Sequence, residues 1–270
     1  MKLGVMQGRL LDYNKSQPQI FPFNIWENEI DLANKLKLNS IQWLYLNSVS
    51  KKNPILNTKT QKLIIKINKK NNVKINSICA HEFLVKPIIN KSKIDKVEFN
   101  KLVNLIKVSK KINIKYIVLP LIEKSSIKDF NKDIFIIFLR KIDEHLKKNN
   151  IQLHIESDLS SKKLSLELKK VNSMYIKICI DLGNSFLNGF NLTKEINDSK
   201  NYIGSYHIKE KDINGNSLPL GSLNFNYKLF FKKIYKNRFM GEIILETQNF
   251  KNKKSFDSIE KNINYLKQFI

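Results

Sequence analysis

Residues 176–184 read IKICIDLGN, a short β-branched run that ends on Asp181. Three further runs share its form. They are IQLHIES (151–157), GSYHIKE (204–210) and GEIILET (241–247), and they end at Glu156, His207 and Glu246. Short runs that are apolar on both faces mark buried parallel strands. A carboxylate or imidazole at the end of such a strand is costly to bury unless something binds it. Four of these groups, of mixed oxygen and nitrogen type and equivalent in successive units, predict one shared divalent metal.

Working outward, strand-like runs recur along the whole chain. The pattern predicts eight: 2–6, 40–44, 74–79, 116–119, 152–156, 177–181, 205–208 and 242–246. Amphipathic segments fill the gaps. Asn24 followed by Glu27 has the form of a capping box before a helix with Ile25, Ile30, Ala33 and Leu36 on its apolar face. Ser126 with Asp129 reads as the start of another, with Phe135, Phe138, Leu139 and Ile142 inward. Segments 93–111 and 256–269 are helical by the same periodicity. Eight β–α alternations predict fold class α/β, a single (β/α)8 TIM barrel over residues 1–270. The length of 270 residues suits that fold, which takes roughly 250.

Barrel sites lie at the C-terminal ends of the strands, where the four candidate ligands fall in the fifth to eighth strands. They are separated by 25, 26 and 39 residues, about one strand–helix unit each. Two Glu, one Asp and one His form a mostly hard donor set, suited to Mn2+ or Mg2+. For each residue alone, capping a helix or pairing with a lysine is the ordinary alternative.

The formal net charge is +24, yet only three of the 48 basic residues, Arg9, Arg140 and Arg238, are arginine. Nucleic-acid binders lean on arginine for bidentate contacts. The lysine excess travels with Asn and Ile, as AT-rich codons would produce. Neither nucleic acid nor a membrane is therefore expected as a partner. No run approaches the ~20 apolar residues of a membrane span, and the first strand starts without a signal-like segment, so a cytoplasmic location is expected. Cys79 and Cys179 lie in apolar runs and read as inert thiols.

The chain resembles the xylose-isomerase-like barrel family, in its sugar phosphate isomerase/epimerase branch with the tagatose 3-epimerase and ribulose-phosphate 3-epimerase groups. The resemblance is carried by MQGRL (6–10), FPFNIWENEIDLA (21–33), SIQWLY (40–45), INSICAHEF (75–83), KYIVLPLIEKSSI (115–127), LHIESDL (153–159), IDLGNS (180–185), HIKEKD (207–212), PLGSLNFNY (219–227) and ILET (244–247). It implies metal ligands at Glu156, Asp181, His207 and Glu246, with Glu156 and Glu246 also carrying protons. The implied activity is isomerisation or epimerisation of a sugar or sugar phosphate through an enediolate held on the metal. Dehydration on the same site, an abasic-site endonuclease and a non-catalytic sugar-binding barrel are the alternatives.

Substrate contacts are expected from His81, Glu82, Arg9, Asn184 and Lys211. Helix capping, surface pairing or a structural salt bridge are the plain readings of His81, Glu82 and Arg9. Trp26 reads as core, and His154 as a satisfied buried histidine. The chain departs from the family pattern at Gln42, Asn184, Lys211 and Leu223, so the substrate is less defined than the chemistry. The expected partner is a small carbohydrate, with or without a phosphate, and a homo-oligomer is left open.

Overall fold

The computed structural model describes residues 2–12, 20–48, 50–90, 93–129, 131–247 and 254–270. Eight parallel strands close a barrel: β1 (Lys2–Met6), β2 (Ser40–Leu44), β3 (Lys74–Cys79), β4 (Tyr116–Leu121), β5 (Gln152–Ser157), β6 (Ile176–Asp181), β7 (Ile203–Ile208) and β10 (Glu242–Leu245). They follow one another round the cylinder in chain order, and β10 pairs with β1. Between β7 and β10, β8 (Glu210–Lys211) and β9 (Ser217–Leu218) form a small antiparallel ribbon.

The surrounding helices are α1 (Asn28–Lys35), α2 (Thr58–Lys70), α3 (Glu82–Val85), α4 (Lys96–Lys111), α5 (Lys132–Asn149), α6 (Ser161–Val171), α7 (Leu182–Leu187), α8 (Leu192–Ser199), α9 (Tyr227–Lys236) and α10 (Ser255–Leu266). Their buried stripes meet the outer faces of the strands. In α5, Phe135, Phe138, Leu139 and Ile142 are buried as the periodicity predicts, while Lys147 and Lys148 close its last turn, where a cation suits the helix dipole. No described helix is long and apolar enough to cross a membrane.

Two helix starts differ from expectation. The Asn24–Glu27 capping box does not form: α1 begins at Asn28, without a side-chain cap. Asn24 Oδ1 instead accepts from Lys51 Nζ at 3.3 Å. Phe21 and Trp26 are buried, and their packing holds this segment in turns until the helix begins. Likewise Ser126 does not open α5. Its Oγ accepts from Lys128 N in a local turn, and Asn131 caps the helix through Asp133 N. Asn131 is an equally good cap one turn nearer the helix.

Trp26 and Trp43 pack edge to face at 4.9 Å, and the fully buried Trp43 donates from Nε1 to Asn53 Oδ1 at 2.8 Å. Both are core rather than pocket wall, as Trp26 was read. His154 is buried, stacked on Tyr116 at 4.1 Å and bonded to Ser205 Oγ and Gln152 Oε1. It is the satisfied histidine that was expected.

Candidate metal centre at the barrel mouth

Register sets the site. Asp181 on β6 lies abreast of His207 on β7, and Glu156 on β5 lies abreast of Cys179, two residues before Asp181. His207 also lies abreast of Ile244 on β10, so Glu246 stands two residues further toward the C-terminal end. Because side chains alternate faces along a strand, spacings of two keep each of these groups on the inner side. Glu156, Asp181 and His207 therefore converge, and Glu246 approaches them through His207 and Lys209.

Ligand-capable atoms of Glu156, Asp181 and His207 all lie within 4.8 Å of one another. His207 Nδ1 is 3.5 Å from Glu156 Oε2, 3.9 Å from Asp181 Oδ2 and 3.0 Å from Glu246 Oε2. All four residues are buried. The opposite ring nitrogen, Nε2, bonds Gln42 Oε1 at 2.9 Å, and this fixes Nε2 as the protonated donor and aims Nδ1 at the acids. Gln42, one of the departures from the family pattern, thus orients His207.

Two further contacts pin the carboxylates. Asp181 Oδ1 caps α7 by accepting from Asn184 N at 2.7 Å, which leaves Oδ2 turned to the cluster. Asn184 Nδ2 donates to Glu156 Oε1, also at 2.7 Å. Asn184, from which a substrate contact is expected, is thus bonded to Glu156. Neither His207 Nδ1 nor Asp181 Oδ2 meets hydrogen-bond geometry with any described residue. Both atoms face charged neighbours, Lys209 Nζ at 2.8 Å from Asp181 Oδ2 and Glu246 Oε2 at 3.0 Å from His207 Nδ1, and a shared cation would meet them both. Glu156, Asp181 and His207, two carboxylates and one imidazole, form a donor set that could hold a metal ion.

Charge dominates the electrostatics. Burial alone would raise the Glu156 and Glu246 carboxyls. Nearby His207 and Lys209 outweigh it, holding Glu156 below the usual range and Glu246 well below it. Burial would lower the His207 imidazole, but Cys179 and the two glutamates raise it well above its ordinary value. Asp181 is pushed up by burial despite Lys209.

Lys209 was absent from the expected site. Its Nζ lies 2.8 Å from Asp181 Oδ2 and 3.1 Å from Glu246 Oε2. The sequence signal was the spacing of two from His207, which places both on the inner side, but one lysine among so many carries little information.

Above the ligands opens a pocket of about 930 Å3. Arg9, His81, Glu82 and Lys211 line it together with Glu156, Glu246 and Cys79. Arg9 is buried between the fields of Glu246 and Glu29. His81 is kept low by burial, although Glu246 and Glu156 pull the other way. Glu82 is engaged with the protein: it accepts from Asn47 N at 3.0 Å and pairs with Lys86 at 3.1 Å.

The fold has many solved relatives. The IOLI protein with a bound zinc atom superposes with a TM-score of 0.76 at 12% identity, covering 100% of this chain and 99% of its own. D-Psicose 3-epimerase from Clostridium cellulolyticum H10, solved with D-tagatose, gives 0.76 at 11% identity over 100% and 99%. The probable 3-DHS dehydratase AsbF from Bacillus anthracis gives 0.71 at 13% over 99% of both chains. A search of curated proteins gave no match. Residues 26–269 match the xylose isomerase-like TIM barrel family, and with that match, the closed barrel and its strand order, the chain belongs to this family.

Proposed function

We propose that the protein is a divalent-metal-dependent isomerase or epimerase of a sugar or sugar phosphate, which removes a proton from a carbon next to a carbonyl and returns one. The observation that carries this reading is the placement of two carboxylates about one imidazole at the foot of an open pocket. Glu156 and Glu246 come from strands three apart round the barrel, and each has an oxygen within 3.5 Å of His207 Nδ1. Glu156, Asp181, His207 and Glu246 would hold the ion, with Mn2+ or Mg2+ favoured by the donor set. Bound there, the ion polarises the carbonyl and adjacent hydroxyl and so acidifies the neighbouring C–H.

The chain's own groups do the rest. Lys209, joined by His207 while no ion is bound, keeps Glu156 and Glu246 ionised in spite of burial, the state required of a general base at neutral pH. One glutamate takes the proton from one face of the substrate, and the other delivers a proton from the opposite face with inversion. If a single glutamate serves and returns the proton to the neighbouring carbon, while the hydroxyl proton passes from one oxygen to the other, the product is the aldose–ketose isomer. Asn184 fixes Glu156 Oε1, so Oε2 is the oxygen turned to the cluster. Arg9, His81 and Lys211 are placed to hold substrate hydroxyls or a phosphate. The D-psicose 3-epimerase among the structural relatives supports the sugar class.

The test is deuterium uptake from solvent by a panel of ketoses and ketose phosphates with Mn2+ or Mg2+ present. Uptake at one carbon, abolished by EDTA, is the expected result. Unchanged exchange in both Glu156→Gln and Glu246→Gln would remove the assigned roles. Loss of water from the substrate would move the reading to dehydration.

A further inference from the structure

One buried charge does more in this site than help keep the two glutamates ionised. Lys209 is 5% exposed, and its ammonium touches Asp181 Oδ2 and Glu246 Oε2, two oxygens turned to the proposed ion. Its position is built by the neighbouring helix. A Cβ at Gly183 would come within 2.9 Å of both Lys209 Cγ and Lys209 O. Any larger residue at the start of α7 would therefore strike the lysine stem. Its neighbour Glu210 locks the following segment, accepting from Gly221 N, Leu223 N and Tyr227 Oη at 2.7–2.8 Å.

The charges can be counted. Three carboxylates, a neutral ligating imidazole and one ammonium leave the site at about −2, the charge a divalent ion neutralises. Without the ammonium it would be about −3. An exposed lysine pair of this kind would be worth little, but here the ammonium and both carboxylates are buried at the foot of the pocket.

We infer that Lys209 is the resident cation of the metal centre, a positioning residue that holds Asp181 and Glu246 together in the metal-free protein and sets the site's affinity and its match to a divalent charge. The inference rests on the metal reading above. Since the ammonium opposes the ion, its removal tightens metal binding, and by Coulomb's law more for a trivalent ion than a divalent one. A merely structural lysine would, on removal, loosen binding.

The test begins from Mn2+-loaded protein and titrates the metal away with a chelator of known affinity, reading free Mn2+ by its paramagnetic resonance signal. Lys209→Met is expected to bind Mn2+ at least about tenfold more tightly than wild type, and Tb3+ about 30-fold, since the Coulomb energy scales with ion charge. Lys209→Arg, which keeps the charge, is expected to stay within about threefold. Lys209→Gln substitutes if Lys209→Met does not fold. Equal or weaker Mn2+ binding by the neutral variant overturns the inference and leaves the metal reading standing. Failure of both neutral variants to fold with Mn2+ present also overturns it, because a loaded site does not need the ammonium. If wild type binds no Mn2+, the metal reading itself falls, and this inference with it.

Discussion

The floor and the mouth of the barrel are built by the same strands from similar residues, yet those residues meet different partners. At the floor, Glu242 on β10 accepts from Tyr116 Oη at 2.8 Å and Asn76 Nδ2 at 3.1 Å. His154 on β5 is satisfied by a serine and a glutamine, and burial together with the charge of Lys177 lowers it to about 3. Four residues along β10 and two along β5, Glu246 and Glu156 meet an imidazole and an ammonium instead. The rim repeats the floor: Glu29 is held by Gly8 N and Leu10 N, and Glu210 by two backbone amides and a tyrosine. Burial of an acid is therefore not what marks the site. Acids closed by neutral donors brace the fold, whereas acids facing one another across a cationic centre are arranged for a ligand.

The largest expected effect separates the two classes directly. Glu156→Gln and Glu246→Gln should each lower turnover by roughly 10²- to 10⁴-fold, the usual contribution of an acid–base group. Their circular dichroism should stay native. Equal losses in Glu242→Gln would erase the distinction.

Next comes pH. Burial pushes Glu29 up to about 7, against an unfolded value of 4.5, even though backbone amides and Arg9 oppose it. The folded chain thus holds this proton more tightly than the unfolded one. The contribution is present in full below pH 4.5 and is lost as pH rises to about 7, a span worth about 3 kcal/mol. The urea stability of wild type relative to Glu29→Gln should fall by that amount as pH rises through the window. A difference independent of pH would contradict it.

A smaller effect is expected at Gln42, which orients the imidazole without touching the ion. Gln42→Leu should weaken metal binding by about 10- to 100-fold, as the loss of partners behind a ligating histidine usually does. Isothermal titration with Mn2+ would measure it, and unchanged affinity would show that His207 is oriented by other means. The smallest effect belongs to the floor. Glu242→Gln should cost about 1–2 kcal/mol of stability and leave metal affinity unchanged, as judged by denaturant unfolding and the same titration.

The sequence carried the cylinder because its strands are short apolar runs, a pattern that needs no partner to be seen. Four of the runs end on a costly residue, and the convergence of Glu156, Asp181 and His207 was legible for that reason. Helix starts were less so. Asn24 and Ser126 satisfy local capping rules, but aromatic packing at Phe21 and Trp26 and the nearer cap Asn131 decide where α1 and α5 begin. Gln42 and Asn184 were noticed as departures, but their roles depend on reaching other strands at 2.9 and 2.7 Å, which spacing does not reveal. Lys209 was hidden by composition, since 48 basic residues make any one of them unremarked.

The central claim is that the four mouth residues bind one cation between them. Metal content per chain, measured by elemental analysis after equilibration with Mn2+ and removal of free ion, tests it most directly. The account predicts one ion per wild-type chain and none in an Asp181→Asn/His207→Gln double variant that still folds. An ion-free wild type, or a double variant that retains its ion, would contradict it.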